Sequence, residues 1–429
     1  MTTRTIKVDT LTRVEGEGAL SLRIENGALA AAELRIYEPP RLFEAVLRGR
    51  SYMEVPDIVS RICGICPIAY QTSAVQAIES AFGATVDGQL AALRRLIYCG
   101  EWIESHALHI VMLHAPDFLG FPDGIQMAGA HGEVVRAGLA VKKAGNELMT
   151  IIGGREIHPV NVKAGGFYRL PTKAELAAHV PKLTAAYEQA VGLVRWVGSF
   201  SFPDFERDYE FVSLHDGVDY PIIGTRLVSS AGLDIPISAF DDEFEERHVE
   251  HSTALHAVLK RRGNYVVGPL ARYALNSSLL PVQLQALAHE AGLGPVCRNP
   301  FKSIIVRALE VAYACGEALR LIAAYEPPAE AAVPLTPRAG VGFGCTEAPR
   351  GICWHRYEFE ADGSVARARI VPPTSQNQPS IEADLAALAT PLLEEPDDII
   401  RARCEFGIRN FDPCISCATH FLKLTVQRG

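Results

Sequence analysis

No stretch of this chain is apolar for long enough to cross a bilayer, and its opening residues, Met1-Thr2-Thr3-Arg4-Thr5-Ile6, lack the apolar segment of a signal peptide. The expectation is a soluble, cytoplasmic protein with no direct membrane span. No Lys/Arg-rich run stands out and the net charge is −9, so nucleic acid is not an expected partner. Internal repeats and low-complexity tracts are also missing. Cysteine is scarce: ten in 429 residues exclude a disulfide scaffold. Six of them (Cys99, Cys297, Cys315, Cys345, Cys353 and Cys404) are scattered and read as small buried hydrophobes. With 48% apolar and 21% charged residues, the composition is that of an ordinary globular protein.

The other four cysteines form two Cys-x-x-Cys pairs near opposite ends of the chain. The first is Arg61-Ile62-Cys63-Gly64-Ile65-Cys66 and the second Asp412-Pro413-Cys414-Ile415-Ser416-Cys417, with His420 beyond it. A tight turn aims the two thiolates of such a pair at one ion, and two pairs make a four-sulfur site for zinc, a single iron or nickel. A zinc or rubredoxin-like site stays open on spacing alone. Structural zinc modules, however, keep their pairs close in sequence, and a chain of this size folds without a metal staple. A metal joining distant ends points instead to catalysis. Arg61 and Asp412 each lie two residues before a pair. They are expected to meet near the metal, either as a charge pair tuning it or as a plain ion pair.

Ala19 to Ile24 and Ala28 to Ile36 read as strands joined at Glu25-Asn26-Gly27. Apolar spacing of three and four predicts helices over Ala69–Ala81, Gln89–Leu113, Met127–Ile152, Lys173–Val197 and Phe301–Tyr325. Gly153-Gly154, Gly165-Gly166 and Pro327 to Gly344 read as connectors. A second β region is predicted over Trp354–Ile370, turning at Asp362-Gly363. The predicted fold class is α+β, mainly α: a large helical-bundle core with small antiparallel β appendages. It forms one unit over 1–429, divided into an N-terminal β region (1–40), a mainly helical core (41–350), a C-terminal β and loop region (351–420) and a tail (421–429).

The two cysteine pairs, with their flanking residues, resemble the signature of the nickel–iron hydrogenase large subunit. So do Arg13-Val14-Glu15-Gly16, Arg41-Leu42-Phe43-Glu44, Ser105-His106-Ala107-Leu108-His109, Gly153 to His158, Gly165-Gly166-Phe167, Glu347 to Gly351 and Val371 to Asn377, in that order. The resemblance implies nickel on Cys63, Cys66, Cys414 and Cys417. Cys66 and Cys417 would bridge to an iron that also carries one carbon monoxide and two cyanides. Splitting H2 needs a Lewis acid and a base. The resemblance makes Cys414 the base, Glu15 the next proton carrier and Arg350, paired with Asp412, the cation over the metals. Pro349 and Thr374 would line the diatomic-ligand pocket. A magnesium site would use Glu44, His420 and a backbone carbonyl near Ile370. His106, His109 and His158 are read as proton carriers or packed core histidines.

Two positions depart from the family pattern: Tyr70 stands where a histidine is usual, and Ser105 where many membrane-bound relatives have aspartate. No further cysteine cluster exists for iron–sulfur centres, so an iron–sulfur small subunit is implied. The soluble-branch elements further imply diaphorase-type subunits binding flavin and NAD(P). A maturation endopeptidase would remove the tail after His420. The expected activity is reversible oxidation of H2, probed against three alternatives: an H2 sensor, a non-catalytic scaffold of related fold and a zinc-stapled interaction protein.

Overall fold

In the computed structural model, residues 2–419 are described; His420, one of the expected magnesium ligands, and the tail 421–429 lie outside the described residues. Strands β1 (Thr3–Val8), β2 (Gly18–Glu25) and β3 (Ala28–Ile36) form an antiparallel sheet, and β2 turns into β3 at Asn26-Gly27 as predicted.

The five predicted helices are present with small shifts of their ends. Helix α1 (Pro67–Phe82) starts directly after Cys66, with proline in its first turn, where a missing N–H costs nothing. Helices α2 (Gly88–Leu108), α3 (Gly124–Gly153), α4 (Lys173–Gly198) and α5 (Ser303–Ala323) follow, α4 opening on a Thr172/Glu175 capping box. The pattern predicted over Gln89–Leu113 does not stay α-helical. It widens to a π-helix over His109–His114 before the short helix Ala115–Leu119. Pro116 is the cause we assign: it has no N–H for the Met112 carbonyl and its ring crowds that oxygen, so the turn opens. No helix among the described residues is long and apolar enough to cross a membrane.

Strands appear inside the segment read as helical core. Val212–Leu214, Arg226–Ser229 and Asp234–Pro236 make a small sheet, and β4 (Phe244–Val249) with β5 (Ser252–Leu259) a hairpin. Conversely, the region read as β and loop after residue 351 contains the long helices α6 (Pro373–Ala389) and α7 (Asp397–Arg409). Pro373 occupies the first turn of α6, where proline is tolerated.

The largest correction is β6 (Gly340–Ala348), whose first five residues read as a glycine-rich connector. It pairs with β7 (Gly351–Phe359), which pairs with β8 (Val365–Val371). Gly340, Gly342 and Gly344 share one face of β6, against Ala81, Ala77 and Ser73 of α1. Two strand residues advance about 6.6 Å and four helix residues about 6 Å, so the two series stay in step. A β-carbon at Gly342 would collide with the Ala77 carbonyl, and one at Gly344 with that of Ser73. This contact sets α1, and hence Cys66, against the strand that leads to Pro349 and Arg350. Gly344→Ala is expected to cost about 3 kcal/mol, since backbone on both sides must move; the midpoint of chemical unfolding measures it.

A buried cation ties the other side of the same strand. Arg272 is fully buried. It donates to Glu310 through Nε (2.8 Å) and Nη2 (2.7 Å), to Glu347 through Nη1 (3.0 Å), and to the carbonyls of Ala348 (2.8 Å) and Pro349 (2.9 Å). Its guanidinium also lies 4.5 Å from the Trp102 ring. Helices α2 and α5 and the end of β6 are thus held by one side chain.

Candidate metal centre

The thiols of both cysteine pairs converge. Cys63 Sγ lies 3.5 Å from Cys414 Sγ, Cys66 Sγ 3.5 Å from Cys417 Sγ, and Cys414 Sγ 2.9 Å from Cys417 Sγ. All four are free and buried, and their sulfurs lie within 4.8 Å of one another. The first pair sits in the turn before α1, where Cys63 Sγ accepts the N–H groups of Ile65 and Cys66, each at 3.3 Å. The second follows α7. There Asp412 takes a left-handed backbone (φ 49°), which lets the chain reverse into Pro413 and Cys414.

Arg41 staples the pairs together. Its Nη2 donates to the Ile62 carbonyl (2.7 Å) and to the Ser416 carbonyl, and its own N–H donates to Thr419 O (2.6 Å). In sequence, Arg41 stands only as a flank of Glu44. Glu101 was missed altogether. From α2 it accepts the N–H groups of Ile68 (2.6 Å) and Ala69 (3.1 Å) at the start of α1. A charged residue within the apolar stretch of a long helix was the available signal.

Burial pushes the Cys414 thiol well above its ordinary pKa, and its sulfur neighbours add to the rise. Cys63 moves the other way, stabilised as thiolate first by Cys414 and then by Cys417. The set therefore keeps part of its protons until a cation takes their place. Buried soft donors in this number, close enough for one ion to bridge, fit nickel and iron.

Glu15 reaches the cluster. The Cys414 thiol donates to Glu15 Oε2 at 2.9 Å, and that oxygen also accepts the Ser416 N–H at 3.1 Å. The carboxylate is only half-buried, so it links a buried sulfur to the outside. Its flanks explain the motif. Arg13 clasps Asp117 (2.6 Å) and the Leu113 carbonyl (2.7 Å). Gly16, at φ 88°, leaves room for Ile415 and Glu38, which a side chain would strike.

Arg350 donates through Nε to the Asp412 carbonyl (2.7 Å), through Nη2 to Asp412 Oδ1 (3.1 Å) and through Nη1 to Ser105 Oγ (3.3 Å). Burial opposes its charge, but Asp412 and the thiolates more than offset this, so the guanidinium stays protonated. Arg61 does not join them. It is partly exposed and pairs with Asp57 at 3.1 Å, one helical turn back, so the expected meeting of Arg61 and Asp412 is not found. Thr374 Oγ1 accepts the Cys414 N–H at 3.0 Å, which leaves its hydrogen for another group. Pro349 is buried, its carbonyl held by Arg272.

Glu44 Oε1 accepts the Ile370 N–H at 2.8 Å, so two members of the expected magnesium site are adjacent. His106 and His109 are buried, and His158 is partly exposed in a loop. His106 Nε2 lies 3.0 Å from Glu310, with burial lowering its pKa to about 4; His109 Nε2 contacts the Arg409 carbonyl (2.9 Å) and His158 Nδ1 the Ser60 carbonyl (2.7 Å). The Tyr70 hydroxyl is buried without a hydrogen-bond partner among the described residues, and burial, with Cys417 and Cys353 nearby, raises its pKa well above the ordinary value. The six scattered cysteines are all buried, as expected.

A nickel-dependent hydrogenase family profile matches residues 41–132. Sulfhydrogenase 2 subunit alpha of Pyrococcus furiosus is 35% identical over 98% of this chain and 100% of its own. The NAD-reducing hydrogenase HoxS subunit beta of Cupriavidus necator is 25% identical over 98% and 95%. Among solved structures, an NAD+-reducing [NiFe]-hydrogenase in its H2-reduced state superposes with a TM-score of 0.85 at 25% identity, covering 97% of this chain and 99% of that one. Four convergent thiols, and 35% identity along the whole of a sulfhydrogenase alpha subunit, place this chain in the nickel-dependent hydrogenase family, as a [NiFe] hydrogenase large subunit and an oxidoreductase.

Proposed function

We propose that this subunit catalyses the reversible conversion of H2 to two protons and two electrons, and that the electrons pass through an iron–sulfur subunit to NAD(P). The contact between Cys414 Sγ and Glu15 Oε2, at 2.9 Å, carries the reading. When bound, the nickel–iron group, with carbon monoxide and cyanides on iron, supplies the Lewis acid that polarises H2. Cys63, Cys66, Cys414 and Cys417 would hold it through their buried sulfurs. Cys414 accepts the proton and passes it to the half-buried Glu15. Arg350, fixed by Asp412 and Ser105, presents a permanent positive charge to the same space. Pro349 and the Thr374 hydroxyl, which already accepts the Cys414 N–H, would line the pocket for the diatomic ligands. Glu44, the Ile370 carbonyl and His420 would hold magnesium, whose oxygen-rich preference suits the first two.

The NAD(P) acceptor is favoured by the likeness to an NAD+-reducing [NiFe]-hydrogenase and to the HoxS beta subunit. It implies diaphorase-type partners binding flavin, and a cytoplasmic setting. A scaffold without catalysis would have no use for four buried thiols aimed at one point, and the zinc reading gives no role to Glu15 or Arg350. Infrared spectra of the chain matured with its partner proteins test the centre: carbonyl and cyanide stretching bands are expected, and zinc alone with no such bands overturns the reading. H2-driven reduction of NAD+ or NADP+ by the assembled complex tests the acceptor, and turnover with an artificial dye separates an enzyme from a sensor.

A further inference from the structure

A second cluster of metal-type donors lies outside the thiol centre. His251, in the turn between β4 and β5, His256 on β5 and Glu382 on α6 bring two imidazoles and a carboxylate within 4.8 Å of one another. Helix α6 is also the helix that carries Thr374 to Cys414. Glu382 is eight residues further on, about 12 Å along its axis.

The geometry asks for a cation. His256 is more than nine-tenths buried, and its Nε2 has no hydrogen-bond partner among the described residues. It points toward Glu382 Oε1 at 3.9 Å, too far for a hydrogen bond. An orphaned buried nitrogen of this kind is costly unless something fills the gap. On its other side Glu382 Oε1 lies 2.6 Å from His251 Nε2. The same oxygen accepts the Leu34 N–H at 3.0 Å, a fixed anchor that orients the carboxylate as supporting groups do in metal sites. Burial favours the neutral form of His256, the form that ligates. His251 and Glu382 are each partly exposed, and a cavity of about 250 Å³ lined by Lys7, Asp9, Ser21, Arg35 and Tyr37 reaches His251. An ion can therefore enter, and a water can complete its shell. A tetrahedral zinc with bonds of about 2 Å holds its donors about 3.3 Å apart, so small side-chain rotations suffice.

We propose that His251, His256 and Glu382 form a zinc-type divalent metal site with three protein ligands and one position for water, clamping the β4–β5 hairpin to α6. The inference is independent of the proposed hydrogenase chemistry. Two imidazoles and one carboxylate suit zinc better than magnesium or calcium.

Calorimetric titration of Zn2+ into the matured protein, with the thiol centre already loaded, tests it. One further equivalent is expected, absent in His256→Ala and in Glu382→Gln. The second variant keeps an acceptor for Leu34 N–H, so its fold is preserved even if His256→Ala unfolds. Co2+ as a probe is expected to give weak visible bands without intense thiolate-to-metal absorption, which separates this site from the cysteines. Equal zinc uptake by the parent and Glu382→Gln, no uptake by the parent, or a thiolate-type Co2+ spectrum overturns the proposal.

Discussion

Glu15→Gln is expected to lower H2 oxidation by about 10²–10⁴-fold, the usual contribution of a positioned proton-transfer group, with nickel and iron contents unchanged. The amide has the same shape as the carboxyl group, and its oxygen can still accept the Ser416 N–H that Glu15 accepts at 3.1 Å. What it cannot do is take a proton from Cys414 and release it. Glu15→Asp keeps the chemistry but shortens the reach beyond the present 2.9 Å contact, so an intermediate loss is expected. Dye-linked turnover beside elemental analysis makes the measurement. Near-parental turnover in Glu15→Gln would move the proton exit elsewhere. Glu104 would be next to test, since burial raises its pKa to about 8 and Lys142 Nζ lies 3.4 Å from it.

The largest stability effect is expected at Arg272. Arg272→Met fills much of the volume but removes the counter-charge of Glu310 and Glu347, both fully buried. Stranding one partner of a buried ion pair costs about 3–5 kcal/mol, and two carboxylates are stranded here. The sign of the pH dependence follows. Burial already lifts Glu347 to about pKa 7 against the pull of Arg272, while Glu310 is held down at about 2, burial being outweighed there by Arg272 and His106. Without Arg272 both carboxyls hold protons in the folded state that the unfolded chain releases. The folded state then binds more protons, and stability falls as pH rises. The variant should be least stable at alkaline pH. Adding Glu310→Gln should recover part of the loss. Equal destabilisation at acid and alkaline pH would assign the effect to packing instead. Because Arg272 also holds the Ala348 and Pro349 carbonyls, infrared bands of the matured variant should shift or broaden before global unfolding.

Long apolar helices were readable because a period near 3.6 persists through α1 to α5 whatever surrounds them. The π-helical turn after Leu108 was not, since its widening depends on how Pro116 meets the carbonyl behind it. Strand β6 was hidden because Gly340, Gly342 and Gly344 are poor strand formers taken singly. Their use appears only once α1 lies against them. Arg61 shows the opposite error. Its place two residues before Cys63 mirrors that of Asp412 before Cys414, yet a helical turn directs it to Asp57 instead. Arg350, 62 residues from Asp412 in sequence, takes that partner.

From its residues alone the chain declares which atoms can meet a soft metal: thiol identity and the three-residue spacing are local properties, and local geometry is encoded in local sequence. Which charges surround those sulfurs was decided by tertiary packing. The Gly342 and Gly344 contacts with α1, the Arg41 bridge between the cysteine pairs and the Arg272 anchor behind Pro349 join residues far apart in sequence. Such contacts form only where close-packed backbone and buried polar groups must find partners, and no short window of sequence contains both sides of that requirement.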